Sequence, residues 1–219
     1  MANGNDKYDL NDSSLDFRVS IAGNDLREFA DVVAIHVHKQ FFKISSAEVL
    51  LHYGSLLDDE FVDDQNEDIA IGSELEISAG EDDLCLFKGV IVKKSVSLSN
   101  KKSVLTLTAK NKAFKMTQNR YNHVFTDMKD SEIIEELINK YGLSCDVEAT
   151  SYKNESVTQY NCSDWDFINI KADANSLLVF ADDDQVIVKK PKMDSPKLEI
   201  NGYESIIDFD ARFDGRNAF

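Results

Sequence analysis

A chain of 219 residues with 40 acidic against 24 basic side chains carries a net charge of −16, and 42% apolar residues give it core material for one large or two ordinary domains. That charge repels nucleic-acid phosphates and anionic lipid head groups, so nucleic acid and bare membrane are poor partners; it leaves solubility, or docking on a basic surface, as its meaning. No run reaches the roughly eighteen apolar residues of a membrane span, the polar start Met1-Ala2-Asn3-Gly4-Asn5-Asp6 is unlike a signal peptide, and Cys85, Cys145 and Cys162 lack the spacing of a zinc site or disulfide framework.

In chain order, residues 1–14 are too polar to offset the entropy of ordering and read as a disordered arm. Phe17, Val19 and Ile21 alternate as a half-buried strand, Gly23-Asn24 turns the chain, and a second strand is centred on Val33, Ile35 and Val37. Ala47, Val49 and Leu51 share one face of the next apolar segment, and Asp58 to Asp68 forms an acidic loop carrying Phe61. Leu75 and Ile77 alternate with Glu74, Glu76 and Ser78. The run Leu84 to Leu98 predicts one long or bulged strand in which Gly89 marks a kink or a close backbone approach. After a turn at 99–102, Leu105, Leu107 and Ala109 alternate with threonines. Residues 15–111 therefore predict a first antiparallel β-barrel or sandwich.

The pattern changes at Lys112. Ile133, Ile134, Leu137, Ile138 and Tyr141 fall on one face of a helix capped by Asp130 or Ser131 and stopped by Gly142. A short strand, Ser144 to Val147, and a loop lead to a second helix. Ser163 caps it, and Asp166 completes a capping-box pattern by reaching back to the Ser163 amide. Trp165, Ile168 and Ala172 form one apolar row of that helix and Phe167, Ile170 and Ala174 another. Asp164, Asp166, Asn169, Lys171, Asp173 and Asn175 are left in polar strips, as for a helix wedged between two bodies. Leu177–Phe180 and Val186–Lys190 flank Asp182-Asp183-Asp184 as a hairpin, so residues 112–190 predict an α+β domain with two helices. Residues 191–219 read as a linker between Pro191 and Pro196 followed by the strand-like Leu198-Glu199-Ile200, Ile207, Phe209, Ala211 and Phe213, the start of a second β-domain. The fold class is β-rich α+β.

No catalytic constellation emerges. His36 and His38 share one strand face, a spacing used by metal sites, but no third ligand is apparent and solvent-facing histidines are the default. Asp64-Gln65-Asn66-Glu67-Asp68 imitates a calcium loop, with Ile69 where glycine is needed and Leu75 where the bidentate glutamate belongs. Asp164 and Asp166 point about 200° apart on a helix and cannot converge on a glycosidic bond. There is no Walker loop, nucleophile elbow or dinucleotide fingerprint, and no cofactor is expected. Trp165 reads as a core anchor before it reads as a sugar-stacking platform.

The segment Gln159 to Ile168, with Gln159, Ser163, Asp164, Trp165, Asp166 and Phe167, resembles the motif that opens a helix in VgrG-type spike proteins of type VI secretion and in the hubs of contractile phage tails. Phe87-Lys88-Gly89-Val90-Ile91 resembles a strand of that family, with Phe87 and Gly89 at the motif positions. Ile71 to Ile77, Leu105 to Lys110, Met116 to Arg120 and Asn139 to Leu143 are similar to its neighbouring segments in the same order. The departure is Asn175-Ser176, where the family has a glycine after its helix. The resemblance implies a structural, non-enzymatic hub, the N-terminal part of a longer spike lacking neck and needle. It implies a homotrimer whose barrels form a pseudo-sixfold ring on a hexameric tube protein, with baseplate proteins as further partners. It also implies assembly in the cytoplasm and ejection within an injection particle, without a signal peptide and with no membrane contact at rest. The reading from another class is a free-standing adaptor module for protein or glycan.

Overall fold

Alternation of buried apolar and exposed polar side chains sets the strands of the first half. In β1 (Phe17–Ile21), Val19 and Ile21 are fully buried while Arg18 is exposed. A turn in which Gly23 adopts φ 88° folds β2 (Asn24–Asp25) back onto β1, and a 3-10 turn, Leu26–Glu28, follows. Then come β3 (Val32–His38), β4 (Ser46–Ser55), β5 (Glu60–Phe61), β6 (Glu74–Ala79), β7 (Leu84–Ser99) and β8 (Lys102–Lys110). The computed structural model describes residues 17–28, 30–55, 60–61, 69–80, 83–99 and 102–192. The sheet is antiparallel, in the order β2-β1-β6-β7-β8-β4-β3, with β5 attached to β4. It is an open path among the described residues, ending in the two-residue β2 beside β1 on one side and in β3 on the other, and β1 and β3 do not pair with each other. Part of the acidic loop is ordered, since Glu60 and Phe61 pair with Ser55 and Gly54; the calcium-like stretch 64–68 and the strand-like tail after residue 192 lie outside the described residues.

The long strand β7 is bulged as expected, with a register shift between Ile91 and Lys93 against β8. Gly89 lies where β7 passes the end of β8. A Cβ there would sit 2.4 Å from the Lys110 carbonyl oxygen and 2.7 Å from the Phe87 ring. Neither backbone oxygen nor a fully buried ring can step aside cheaply, so glycine is a steric requirement.

The second half begins with a 3-10 turn, Lys112–Thr117, capped by Asn111, whose side-chain oxygen accepts from the Ala113 amide. It continues through β9 (Arg120–Lys129), α1 (Asp130–Asn139), β10 (Ser144–Val147), β11 (Lys153–Ser163), α2 (Asp164–Ala174), β12 (Leu178–Asp182) and β13 (Gln185–Lys189). β9 and β11 form an antiparallel ribbon; β12 and β13 form the predicted hairpin, with β10 alongside β13 in parallel. The ribbon was not legible. Residues 148–162 read as a loop, yet β11 pairs with β9; the strand escapes the sequence because its inward residues, the partly buried Val157 and the buried Gln159, carry no apolar alternation.

Helix α1 buries Ile133, Ile134, Leu137 and Ile138 as expected, but neither Asp130 nor Ser131 caps it. The strand β9 runs directly into the helix. Lys129 is the cap residue, and its amide donates to the Glu132 carboxylate at 2.8 Å. Ser131 instead trades bonds with Thr150: its amide donates to the Thr150 hydroxyl at 3.1 Å and its hydroxyl accepts from the Thr150 amide at 3.2 Å.

Helix α2 starts at Asp164 behind the Ser163 cap, whose oxygen accepts from the Asp166 amide at 3.1 Å. The reciprocal arm differs from expectation, because the Asp166 carboxylate accepts from the Ser163 hydroxyl at 2.7 Å rather than from its amide. The helix ends in a Schellman arrangement: Leu177 N–H donates to the Ala172 carbonyl and Ser176 N–H to that of Asp173. Ser176 holds φ 56° there, so a serine bears the left-handed conformation that glycine would take without strain.

Two hydrophobic clusters result. One, inside the large sheet, joins residues such as Val19, Leu51, Phe87 and Leu107. The other gathers α1, α2 and the strands around them, from Ala113 to Val188. Replacing Gly89 by alanine should cost about 2 kcal/mol by overpacking, or about 4–8 °C in Tm for a chain of this size. Thermal unfolding followed by circular dichroism checks it, and an unchanged Tm would mean that the end of β8 yields without strain.

Candidate functional site at the Trp165 helix

The first turn of α2 carries an aspartate that the sequence places among exposed polar strips, and this is corrected: Asp164 is 0% exposed. Its Oδ1 accepts from Gln159 Nε2 at 2.8 Å, and its Oδ2 accepts from Lys140 Nζ at 2.8 Å and from the Tyr141 hydroxyl at 2.7 Å. The free amides of the helix N-terminus favour a negative charge at this position. Gln159, itself buried, also donates to the Cys162 carbonyl at 3.2 Å and so holds the turn between β11 and α2. The Lys140 ammonium lies 3.7 Å from the Tyr121 ring centroid, a cation–π contact that lets a cation reach a buried carboxylate across an aromatic face. Burial first, then the bond to Asp164, pushes the Tyr141 hydroxyl well above the ordinary phenol range, so it stays a donor.

Of the two rows read on α2, the first is buried along the helix and the second only at Phe167. Trp165, Ile168 and Ala172 are buried and Phe167 stacks on Phe125 of β9 at 5.8 Å, but Ile170 is 58% exposed and Ala174 is exposed too. Trp165 lies in the α-helical core and reaches the connection between β3 and β4. Its indole N–H donates to the Phe42 carbonyl at 3.3 Å, and Asn169 donates to the same oxygen at 3.2 Å. Phe42 sits between β3 and β4 at φ 63°, its amide donating to the Val179 carbonyl at 2.8 Å. Ser45 Oγ donates to the Ala181 carbonyl at 2.7 Å, and Phe42 and Ile44 pack into the α-helical core. The connection between β3 and β4 is thus gripped by α2 and β12.

The turn Asp182-Asp183-Asp184 is the expected hairpin turn, but it is not merely solvated. Asp182 pairs with Lys39. The Asp183 carbonyl accepts from Asn111 Nδ2, and its carboxylate accepts from the Cys85 thiol at 3.7 Å. Asp184 pairs with Lys112 at 2.9 Å and Lys88 at 3.0 Å, and Lys112 also reaches Glu74 at 2.8 Å. The bond from Lys112 holds the Asp184 carboxyl below its ordinary range; the Asp184 bond raises Lys88, and the Glu74 and Asp184 bonds raise Lys112. Burial, reinforced by the Asp183 charge, pushes the Cys85 thiol up to about 11, so it is no nucleophile near neutral pH.

The structure brings Gln159, Ser163, Asp164, Trp165, Asp166 and Phe167 together at one helix start; Phe87 and Gly89 lie apart from them in the sheet. His36 and His38 are exposed on β3, and among the described residues no three potential metal ligands converge. Sequence reasoning missed Tyr121, Lys140 and Tyr141 as partners of Asp164, and Lys39, Lys88 and Lys112 as partners of the aspartate turn. The quoted Asn139-Lys140-Tyr141-Gly142-Leu143 run held two of them, without any sign that their acceptor lay 24 and 23 residues on.

Residues 11–219 match the family described as the Alg8 N-terminal domain. No curated protein matches the chain by sequence. Among solved structures the chain is similar to the 43 kDa tail protein of prophage MuSo2 from Shewanella oneidensis, with TM-score 0.66 and 8% identity over 85% of this chain and 56% of that one. It is similar to a tail protein from Neisseria meningitidis, with TM-score 0.59 and 14% identity over 82% and 52%. It also resembles the E. coli c3393 protein, a type VI secretion component with structural similarity to the T4 bacteriophage tail proteins gp27 and gp5, with TM-score 0.60 and 13% identity over 78% and 48%. The fold is therefore that of phage tail and type VI secretion proteins, and the chain spans about half the length of the solved proteins it matches.

Replacing Asp164 by alanine should cost about 3 kcal/mol, because the donors on Gln159 and Tyr141 lose their acceptor inside the core. Lys140→Met should cost at least as much, since it leaves the fully buried Asp164 carboxylate without its cation. Urea unfolding of both variants checks this, and a negligible loss for Lys140→Met would mean that Gln159 and Tyr141 alone satisfy the carboxylate. For the aspartate turn the sign follows the shifts. The Asp184 contribution is complete above the ordinary carboxylate pKa near 4 and is lost as pH falls through its depressed value. The Lys88 and Lys112 contributions are complete below about 10.5 and are lost as pH rises through their raised values. Protection of the amides around Gln185, relative to their intrinsic exchange rates, should fall as the pH drops below about 4, and Asp184→Asn should abolish that acid dependence.

Proposed function

The chain belongs to the Alg8 N-terminal domain family, and we propose that it is a structural hub component of a contractile injection apparatus, the N-terminal portion of a VgrG-like spike. The observation that carries this reading is the fold, shared over about four-fifths of the chain with two phage tail proteins and a type VI secretion component. In support, the motif residues are spent on structure: Gln159, Ser163, Asp164 and Trp165 fasten one helix start and a neighbouring body, and their polar atoms already have partners.

On this reading the work of the protein is symmetry and force transmission. Residues 15–111 and 112–190 act as a barrel domain and an α+β domain. Three copies of the whole protein form a ring that docks on a hexameric tube, with baseplate proteins around it. It assembles in the cytoplasm and leaves within the particle when that fires. A seam built from an apolar grip at Phe42 and an ionic grip at Asp184 suits such a load, because the two bodies would transmit a push without rotating.

Light-scattering mass after size exclusion, over a range of concentrations and on the chain extended by any following neck, tests the proposal. The expected result is a trimer of the extended form. An extended form that stays monomeric at every concentration would overturn the hub reading and favour a free-standing adaptor.

A further inference from the structure

Hydrogen bonds between uncharged groups close a ring at the Asp182-Asp183-Asp184 turn. Ser45 Oγ donates to the Ala181 carbonyl at 2.7 Å, the Asn111 N–H donates to the Ser45 carbonyl at 2.9 Å, and Asn111 Nδ2 donates to the Asp183 carbonyl. The ring ties the end of β12 to the connection between β3 and β4 and to the junction of β8 with the 3-10 turn that follows it. Ser45 and Asn111 are each only 1% exposed. Asn111 has no bonding capacity to spare: its Oδ1 accepts from the Ala113 N–H at 2.9 Å and its carbonyl from the Phe114 N–H at 2.9 Å. The chain also passes from one hydrophobic cluster to the other at this residue, between Ala109 and Ala113.

The other bonds of the turn are of a different kind. Asp182 pairs with Lys39, and Asp184 with Lys88 and Lys112, through side chains that are 23% to 50% exposed. Salt screens such pairs, and each is worth little in water. The bond from Asn111 to Asp183 carries no net charge for salt to screen, and breaking it leaves a carbonyl without its donor. We propose that Asn111 is a latch, which keeps the aspartate turn docked on the first sheet when its ion pairs are screened and so keeps the seam between the two clusters closed. The latch is a property of the single chain and does not rest on the hub reading, whose test is the mass of an extended form.

The structure supplies its own reporter. The Cys85 thiol of β7 donates to the Asp183 carboxylate at 3.7 Å, so undocking of the turn uncovers it, while the free thiols of Cys145 on β10 and Cys162 on β11 report on other places. Labelling of the full chain by N-ethylmaleimide, read for each cysteine by peptide mass spectrometry, would be followed from about 0.01 M to about 1 M sodium chloride, where the screening length falls from about 30 Å to about 3 Å. In the native chain the rate at Cys85 relative to the other two should not change with salt. Asn111→Ser keeps a capping oxygen and adds no charge. In high salt it should label at Cys85 about tenfold faster, as for the loss of one buried hydrogen bond, with Cys145 and Cys162 unchanged. Ser45→Ala cuts the same ring at Ala181, leaves the Asn111 cap in place, and should act in the same direction. A native chain whose Cys85 is accelerated by salt as much as in the variants would overturn the proposal, because ion pairs alone would then dock the turn. So would variants that match the native chain in high salt, or in which all three cysteines speed up together, the mark of a general loss of stability.

Discussion

A carboxylate with no access to water is costly unless every bond to it is in place, and Asp164 sets that requirement at the junction of β11, α1 and α2. Its three donors come from Lys140 and Tyr141 just past α1 and from Gln159 within β11. Satisfying them fixes the angle at which β11 turns into α2 and the distance from α2 to the end of α1. Hydrophobic contact alone is tolerant of such shifts, because apolar side chains repack over small displacements at modest cost. A buried charge has no such tolerance, so this network specifies one geometry where the surrounding apolar residues would accept several.

That geometry determines what Trp165 can reach. With the start of α2 fixed by Asp164 and the Ser163 cap, the indole N–H is delivered to the Phe42 carbonyl, and Asn169 one turn later meets the same atom. Phe42 in turn holds a left-handed backbone conformation, which a bulky side chain adopts only when surrounding bonds compensate. Its amide bond to Val179 and its ring in the α-helical core are those bonds. The connection between β3 and β4 is therefore shaped by the second body, and two separately cored units become mechanically continuous.

Much of this was legible in the residues and part was not, for definable reasons. Strands such as β1 and β8 bury apolar residues on one face only, so period-two alternation exposed them; the fold class and the start of α2 at Ser163 were equally plain. β11 escaped because its inward positions are Val157 and Gln159, and an amide facing a buried carboxylate leaves no hydropathy signal. Asp164 was misplaced for the same reason: helical periodicity sorts residues by polarity, and a buried charge violates the sorting by design of its partners rather than of its own neighbours. The Asp182-Asp183-Asp184 run was read rightly as a turn, but its partners lie far away in sequence on Lys39, Lys88 and Lys112, a relation only the fold creates.

The seam combines two grips that respond differently to the surroundings. The Phe42 and Trp165 side excludes water, so salt screens it little; the Asp184 side is half exposed, and its ion pairs weaken as ionic strength rises. Neither alone resists both rotation and separation, since an apolar contact slides and a single ion pair pivots. Placed at opposite ends of β12, where Phe42 meets Val179 and the aspartate turn follows Ala181, they act as two points of attachment along one rigid strand. Two separated attachments remove the rotation that one would leave free, and this is the mechanical requirement on any part that must carry an axial load without turning.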